Sequence, residues 1–346
     1  MKHVLVVPFA KIILVDISKK QLDFFKNIYF EQDFDMSEKI VITISFRDHL
    51  ATHSSILIAG KSARFDSDFV ISDSRNKLCS ISISSMNASC CQLYIEHGFD
   101  LYFAFTFIIE PLLIILSAAN NIAYLHASAV ADFDGKALVF SAWRHTGKTH
   151  RLLRLLSKGY SFIGDDYTVF FDGKIYSYPK QINLFSYNFS QFPSLATTFS
   201  FATRIRLIMF LQIQKLLLSM SKILSGSLSK TFLRLSELAE VATNVTLSPK
   251  NIGATVVSAK LKKLSILITG SLEQISDEVS STTASNKLFS IISYELQDFF
   301  SLYLGFQYLF DEKIPIIESF EKNYKNALLT LPSKVIIVPT KTQEKK

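Results

Sequence analysis

The sequence predicts an α/β protein of mixed, α+β character: a β-rich N-terminal domain over residues 1–105, then an α/β domain over 106–346 with a basic helical insertion at about 200–245. Three observations predict it. The first third carries short runs of alternating or β-branched residues separated by polar gaps. From 136 the chain reads strand, loop, helix, strand. Beyond 200 the apolar period lengthens to that of amphipathic helices.

The N-terminus, MKHVLVVPFAKIILVDIS, is broken by Pro8 and Lys11 and reads as a strand or two short ones. It has no small-residue cleavage site, so no signal peptide is expected. KIVITISF (39–46), SSILIAG (54–60), CSISISS (79–85) and CQLYIEHG (91–98) follow as strands, their turns supplied by Asp, Asn and Ser because glycine is scarce. LYFAFTFIIEPLLIILSAA (101–119) is nearly long enough to cross a bilayer. Glu110-Pro111 at its centre argues for a buried helix from about Pro111, preceded by a strand, since a mid-membrane carboxylate costs about 3 kcal/mol.

Residues 123–130 and 136–141 read as two strands joined by a tight turn at Asp134-Gly135. After the loop that follows, KTHRLLRLLSKG is a helix stopped by Gly159. Next come a strand, the pair Asp165-Asp166, a strand, a turn at Asp172-Gly173, and a strand ending at Pro179. TRIRLIMFLQIQKLLLSMSKIL (203–224) is an amphipathic helix with Arg204, Lys215 and Lys222 on one face and a broad apolar arc opposite, expected to pack on the core. A helical stretch at 286–309 precedes a final strand, KVIIVPT (334–340).

With 49% hydrophobic and 19% charged residues the composition is globular, not disordered. The net charge is +7, and residues 201–263 alone contribute +8, from ten Lys/Arg against Glu237 and Glu240. Such a segment is ordinarily a solvated face. It also suits weak contact with acidic surfaces, a membrane among them. No zinc pattern or aromatic-rich basic motif accompanies it, so nucleic acid is not an expected partner. Cys79, Cys90 and Cys91 are odd in number and two are adjacent, which makes neither a disulfide framework nor a metal site. Reduced thiols fit a cytoplasmic protein. Self-association is left open.

The chemistry concentrates in SAWRHTGKTH (141–150). A phosphate-binding loop aims successive backbone N–H groups and a helix N-terminus at phosphate oxygens. A lysine adds mobile charge and a Ser or Thr hydroxyl binds Mg²⁺. Here Gly147-Lys148-Thr149 ends the loop between a strand and a helix, the context that such a site requires. Ala142, Trp143, Arg144, His145 and Thr146 fill the front half, so the loop has a single glycine. His145 stands where glycine is common, and His is among the residues enriched at positive φ. Sixteen residues beyond Lys148, Gly164-Asp165-Asp166 returns by one helix and one strand, a path that brings two carboxylates to the loop. Without the loop, an acidic pair in a turn would be the default reading. His126, in LHASAV on the strand before the loop strand, is by itself an ordinary packing histidine.

Taken in order, LHASAV, the loop 142–149, Lys158-Gly159-Tyr160, Gly164-Asp165-Asp166 and Tyr176-Ser177-Tyr178-Pro179 resemble the HPr kinase-like family. The run Ile163-Gly164-Asp165-Asp166 also looks like the acidic motif of phosphoenolpyruvate carboxykinases. The resemblance covers about 110–179. It implies a P-loop core built on a mixed sheet, an ATP-dependent kinase with Mg²⁺, and a phosphoryl acceptor, small molecule or protein, that the sequence does not identify. It implies that residues Ala142 to Thr149 bind the nucleotide, with Lys148 on the outer phosphates. Thr149 and Asp166 would hold the metal, and Asp165, Asp166 and His126 would be catalytic, the two aspartates dividing metal binding and proton acceptance. QINLFSYNFSQ (181–191) lacks the acid and arginine of the second HPr kinase signature, so HPr is not the expected substrate. The glycine-poor loop keeps an alternative in play: a catalytically inactive nucleotide-binding regulatory or scaffold protein. Lys180 reads more readily as a solvated lysine than as a phosphate-binding one.

Overall fold

A computed structural model describes residues 2–29, 32, 34, 37–50, 57–59, 62–65, 68–143, 146–242, 244–269, 277–310, 313–331 and 335–340. The chain is a mixed α/β protein with mixed sheets, and it divides by packing into two units. Unit 1 comprises residues 1–149, 163–180 and 256–346; unit 2 comprises 150–162 and 181–255.

The first sheet of unit 1 lies wholly within the β-rich third. Its strands are β1 (Lys2–Val7), β2 (Ala10–Val15), β3 (Ile40–Arg47), β4 (Leu57–Ala59), β5 (Ser62–Phe65), β6 (Asp68–Ser72), β7 (Leu78–Asn87) and β8 (Cys90–Glu96), in the order β1-β2-β3-β8-β7-β6-β5-β4. The pairs β2/β3 and β3/β8 are parallel and the others antiparallel. Along β3 the alternation Ile40, Ile42, Ile44, Phe46 is buried, as a one-face strand demands. A helix not read from the sequence, α1 (Lys19–Ile28), intervenes. Ser18 and Gln21 form its capping box, a start signal present in the sequence.

Residues 101–110, expected as a strand, are helical. Asp100 caps α2 (Leu101–Ala104) by accepting from the Phe103 amide, a π-turn spans Phe105–Ile109, and α3 (Glu110–Ala119) completes the run. Pro111 has no N–H to give the preceding turn, and the ladder widens there, the Glu110 amide reaching back to the Phe105 carbonyl. Leu101–Ala119 is long and apolar enough to cross a membrane by length and composition alone, yet 72% of its apolar window is buried inside the protein, as in the core helix of a soluble one.

The second sheet also belongs mainly to unit 1. Its strands are β9 (Ala123–Leu125), β10 (Ala127–Ala131), β11 (Lys136–Ala142), β12 (Ser161–Gly164), β13 (Thr168–Phe171) and β14 (Lys174–Ser177), with α4 (Lys148–Leu156) between β11 and β12. The expected single strand 123–130 is interrupted at His126, where the chain changes partners: β9 pairs β13 while β10 pairs β11. Unit 2 holds the two-stranded sheet of β15 (Ile182–Leu184) and β16 (Val245–Leu247). Between these strands lie α5 (Ser186–Gln191), α6 (Phe201–Ile223) and α7 (Gly226–Ala242). The α6 helix forms where expected but does not pack on a core: Leu207 is its one buried residue.

Back in unit 1, β17 (Ser258–Thr269), β18 (Asp277–Val279) and β19 (Val335–Thr340) join the second sheet, whose order is β12-β10-β11-β17-β14-β13-β9, with β19 between β17 and β18. The pairs β11/β17 and β17/β19 are parallel, and β10/β11, β13/β14, β9/β13, β14/β17 and β18/β19 are antiparallel. The helical stretch near the C-terminus is two helices, α8 (Ser281–Glu295) and α9 (Gln297–Phe310), followed by α10 (Pro315–Glu318) and α11 (Phe320–Ala327). One continuous apolar core in unit 1 takes residues from both of its sheets, from α3 and from α8–α11.

Candidate functional site

Every group of the site belongs to unit 1. Strand β11 ends at Ala142, Gly147 takes φ 89°, and Lys148 opens α4, so the strand–loop–helix of the sequence is formed. Arg144 and His145 lie outside the described residues. Thr146 is buried and its hydroxyl donates to the Trp143 carbonyl, closing the turn. The Trp143 ring is 42% exposed and lies against Tyr294 at 4.6 Å between centroids.

Lys148 is buried, which is costly for an ammonium unless it is hydrogen-bonded. Its Nζ donates back across the loop to the Ala142 carbonyl at 2.9 Å and reaches His126 Nε2 at 2.8 Å. The His126 ring, in the break between β9 and β10, meets Glu295 Oε1 at 3.2 Å from Nδ1 and Asp166 Oδ1 at 3.5 Å from Nε2. The histidine is thus shared by two carboxylates and the loop lysine.

The two aspartates face different neighbours. Asp165 is buried; its Oδ1 accepts from Ser128 Oγ at 2.5 Å and its Oδ2 from Thr149 Oγ1 at 3.1 Å. Burial pushes its carboxyl above the usual range, against the Ser128 hydrogen bond. Asp166, at φ 68°, turns the chain through the left-handed region, which Asp tolerates better than most residues. Its carboxylate meets Lys180 Nζ at 2.8 Å as well as His126. Burial works to raise it, but the Lys180 ammonium and the His126 ring outweigh that and hold it well below the carboxylate range. Gly164 is required by space: a Cβ there would lie 2.7 Å from Thr168 Cγ2 and 2.9 Å from the Tyr167 carbonyl oxygen. Asp166, expected as the metal partner of Thr149, is therefore directed to Lys180 and His126, and Asp165 is the carboxylate beside Thr149.

Lys180 is not the solvated lysine that the sequence suggested. Both Glu110 oxygens lie 3.3 Å from its Nζ, and the Tyr167 ring is 5.4 Å away. Tyr178 donates to Glu110 Oε1 at 3.1 Å and is itself 2.7 Å from the Tyr29 hydroxyl. Burial raises Glu110 against the pull of Lys180, and Asp166 and Glu110 together raise Lys180 against its own burial. A polar chain thus runs Tyr29, Tyr178, Glu110, Lys180, Asp166, His126, Glu295, buried at both ends and reaching solvent at Asp166.

Sequence reasoning missed Ser128, Glu295, Tyr178 and the pairing of Glu110 with Lys180. One signal was present: a single carboxylate inside nineteen apolar residues needs a cation if it is buried. Among the described residues no group of three or more His, Cys, Asp or Glu could hold a metal by itself. Thr149 Oγ1 and Asp165 Oδ2, 3.1 Å apart, are two adjacent oxygen donors of the kind that Mg²⁺ takes. No protein-family model matches this chain, and no curated protein is significantly similar to it.

Proposed function

We propose that the chain is a cytoplasmic, ATP-binding kinase of the HPr kinase-like type that transfers the γ-phosphoryl group to a hydroxyl of a small molecule or protein. The observation that carries this reading is the meeting, within hydrogen-bond distances, of the loop lysine, the Thr149–Asp165 pair, and Asp166 with His126. Amides near Gly147 and the α4 N-terminus would bind phosphate. Thr149 and Asp165 would hold Mg²⁺, which when bound offsets charge on the phosphates. Asp166, kept ionised by Lys180, takes the proton of the attacking hydroxyl. The hydroxyl oxygen bonds to phosphorus as the bond to the bridging oxygen breaks, and that electron pair leaves with ADP. Lys148 stabilises the transferring group.

A second reading has one specific observation in its favour. Asp166 is tied to Lys180 at 2.8 Å, which weakens it as a base. A nucleotide-binding regulatory or scaffold protein without turnover would keep the loop and need no base. Titration with Mg-ATP tests both readings. A saturable change in Trp143 fluorescence, absent in Lys148→Ala with unchanged circular dichroism, is expected of either. ADP production with candidate acceptors is expected of the kinase alone. No fluorescence change at millimolar nucleotide would remove both.

A further inference from the structure

The α6–α7 hairpin of unit 2 turns its apolar residues outward. At about 100° per residue, Ile205, Ile208, Met209, Leu216, Met220 and Ile223 of α6 fall in an arc of about 120°, and all six are exposed, Ile223 by 83%. The margins of the arc are cationic, with Arg204, Lys215 and Lys222 along one side and Arg206 on the other. The opposite side of α6 packs along α7, and Ser229 Oγ donates to the Ser221 carbonyl at 2.7 Å where the two helices meet. A helix of a water-soluble domain ordinarily turns such a stripe to the core; here it is exposed.

We propose that the exposed face of α6 lies on an anionic lipid surface. Charge and polarity together select this occupant. Residues 201–236 contain six Lys or Arg and no Asp or Glu. A second copy docking on the same face would oppose cations to cations. A nucleic acid would take the cations and leave Ile, Leu and Met in water. A bilayer with acidic headgroups satisfies both parts: the apolar arc enters the acyl boundary while the marginal Lys and Arg side chains reach back to the headgroup phosphates. With 23 residues, α6 is about 34 Å long and lies in the plane of the interface. The proposal is independent of the nucleotide site, since no residue of α6 takes part in it.

Co-sedimentation of the full chain with vesicles tests it. The protein is expected to pellet with phosphatidylglycerol-containing vesicles, to stay in solution with pure phosphatidylcholine, and to be released by high salt. Lys215→Gln with Lys222→Gln should weaken binding roughly twenty-five-fold, at about fivefold per cation. Ile208→Ser with Leu216→Ser should also abolish pelleting. All four side chains are solvent-facing, so circular dichroism should not change. Absence of binding to anionic vesicles would overturn the proposal. So would binding indifferent to both double variants, or a doubled mass in light scattering that the serine variant returns to monomer, which would assign the face to a second copy.

Discussion

The surroundings of Asp166 and the α6–α7 hairpin invert one another. Around Asp166, charged and polar groups sit inside an apolar interior: Glu110 and Glu295 are almost fully buried, and Lys180 is nearly so. In the hairpin, apolar side chains face water beside solvent-exposed cations. The helical stretch Leu101–Ala119 that carries Glu110 and the α6 helix both read in sequence as apolar stretches containing few charges. What separates them is pairing. A buried ion needs an opposite charge at contact distance, and Glu110 has Lys180. An exposed cation needs none, and the apolar surface beside it is what lacks a partner. Buried polar groups are therefore expected to be sensitive to substitution, and the hairpin tolerant of it.

The largest expected effect is on chemistry. Asp166→Asn should lower phosphoryl transfer by about 10²–10⁴-fold, the range for removing a proton acceptor, while the Trp143 response to Mg-ATP persists. Equal turnover in this variant would assign proton transfer elsewhere. Next is stability. Glu110→Ala removes one of the two carboxylates that hold the Lys180 ammonium and leaves Asp166 as the other, at a cost of about 1–3 kcal/mol, the range for a lost hydrogen bond to a charged group, read as a lower urea midpoint. Glu110→Gln, which can still accept from Tyr178, should cost less.

Opposite pKa shifts in the adjacent aspartates give a pH signature. The folded pKa of Asp166 is depressed, so its contribution to stability is present above the unfolded carboxylate value and is lost as pH falls through the folded one. Asp165 is raised, so its charged form opposes folding above the folded value, and that penalty disappears on acidification. Asp165→Asn should therefore raise the urea midpoint at neutral pH, with the gain fading as pH is lowered, while activity is lost. A variant destabilised at neutral pH would show that the Ser128 and Thr149 hydrogen bonds outweigh the burial.

Local features were legible in the sequence. The strand, loop and helix at 136–156 and the turns at Gly135 and Gly173 depend on residues a few positions apart, and all are found. Two misreadings and one open question have causes beyond the local sequence. The helix at 101–110 reads as a strand because Phe, Tyr and Thr favour strands in isolation, whereas the Asp100 cap and the burial of Ala104, Phe105, Ile108 and Ile109 along one face decide for helix. Lys180 was read as solvated because Glu110, seventy residues earlier, is invisible as its partner until the chain folds. The roles within Asp165-Asp166 could not be separated, since the positive φ at Asp166 and the reach of Lys180 are both properties of the fold.

The smallest expected effect sharpens the contrast most. In α6, Ile208→Ser removes a side chain that is 59% exposed and Leu216→Ser one that is 61% exposed. A core truncation costs several kcal/mol because it forfeits burial and leaves a cavity; neither applies where the side chain already meets water. Each change should shift the free energy of unfolding by no more than about 0.5 kcal/mol, apart from a small propensity loss from Ile or Leu to Ser. If urea unfolding instead shows a loss of about 2 kcal/mol or more for either, the face is covered within the folded molecule and the inversion described above does not exist.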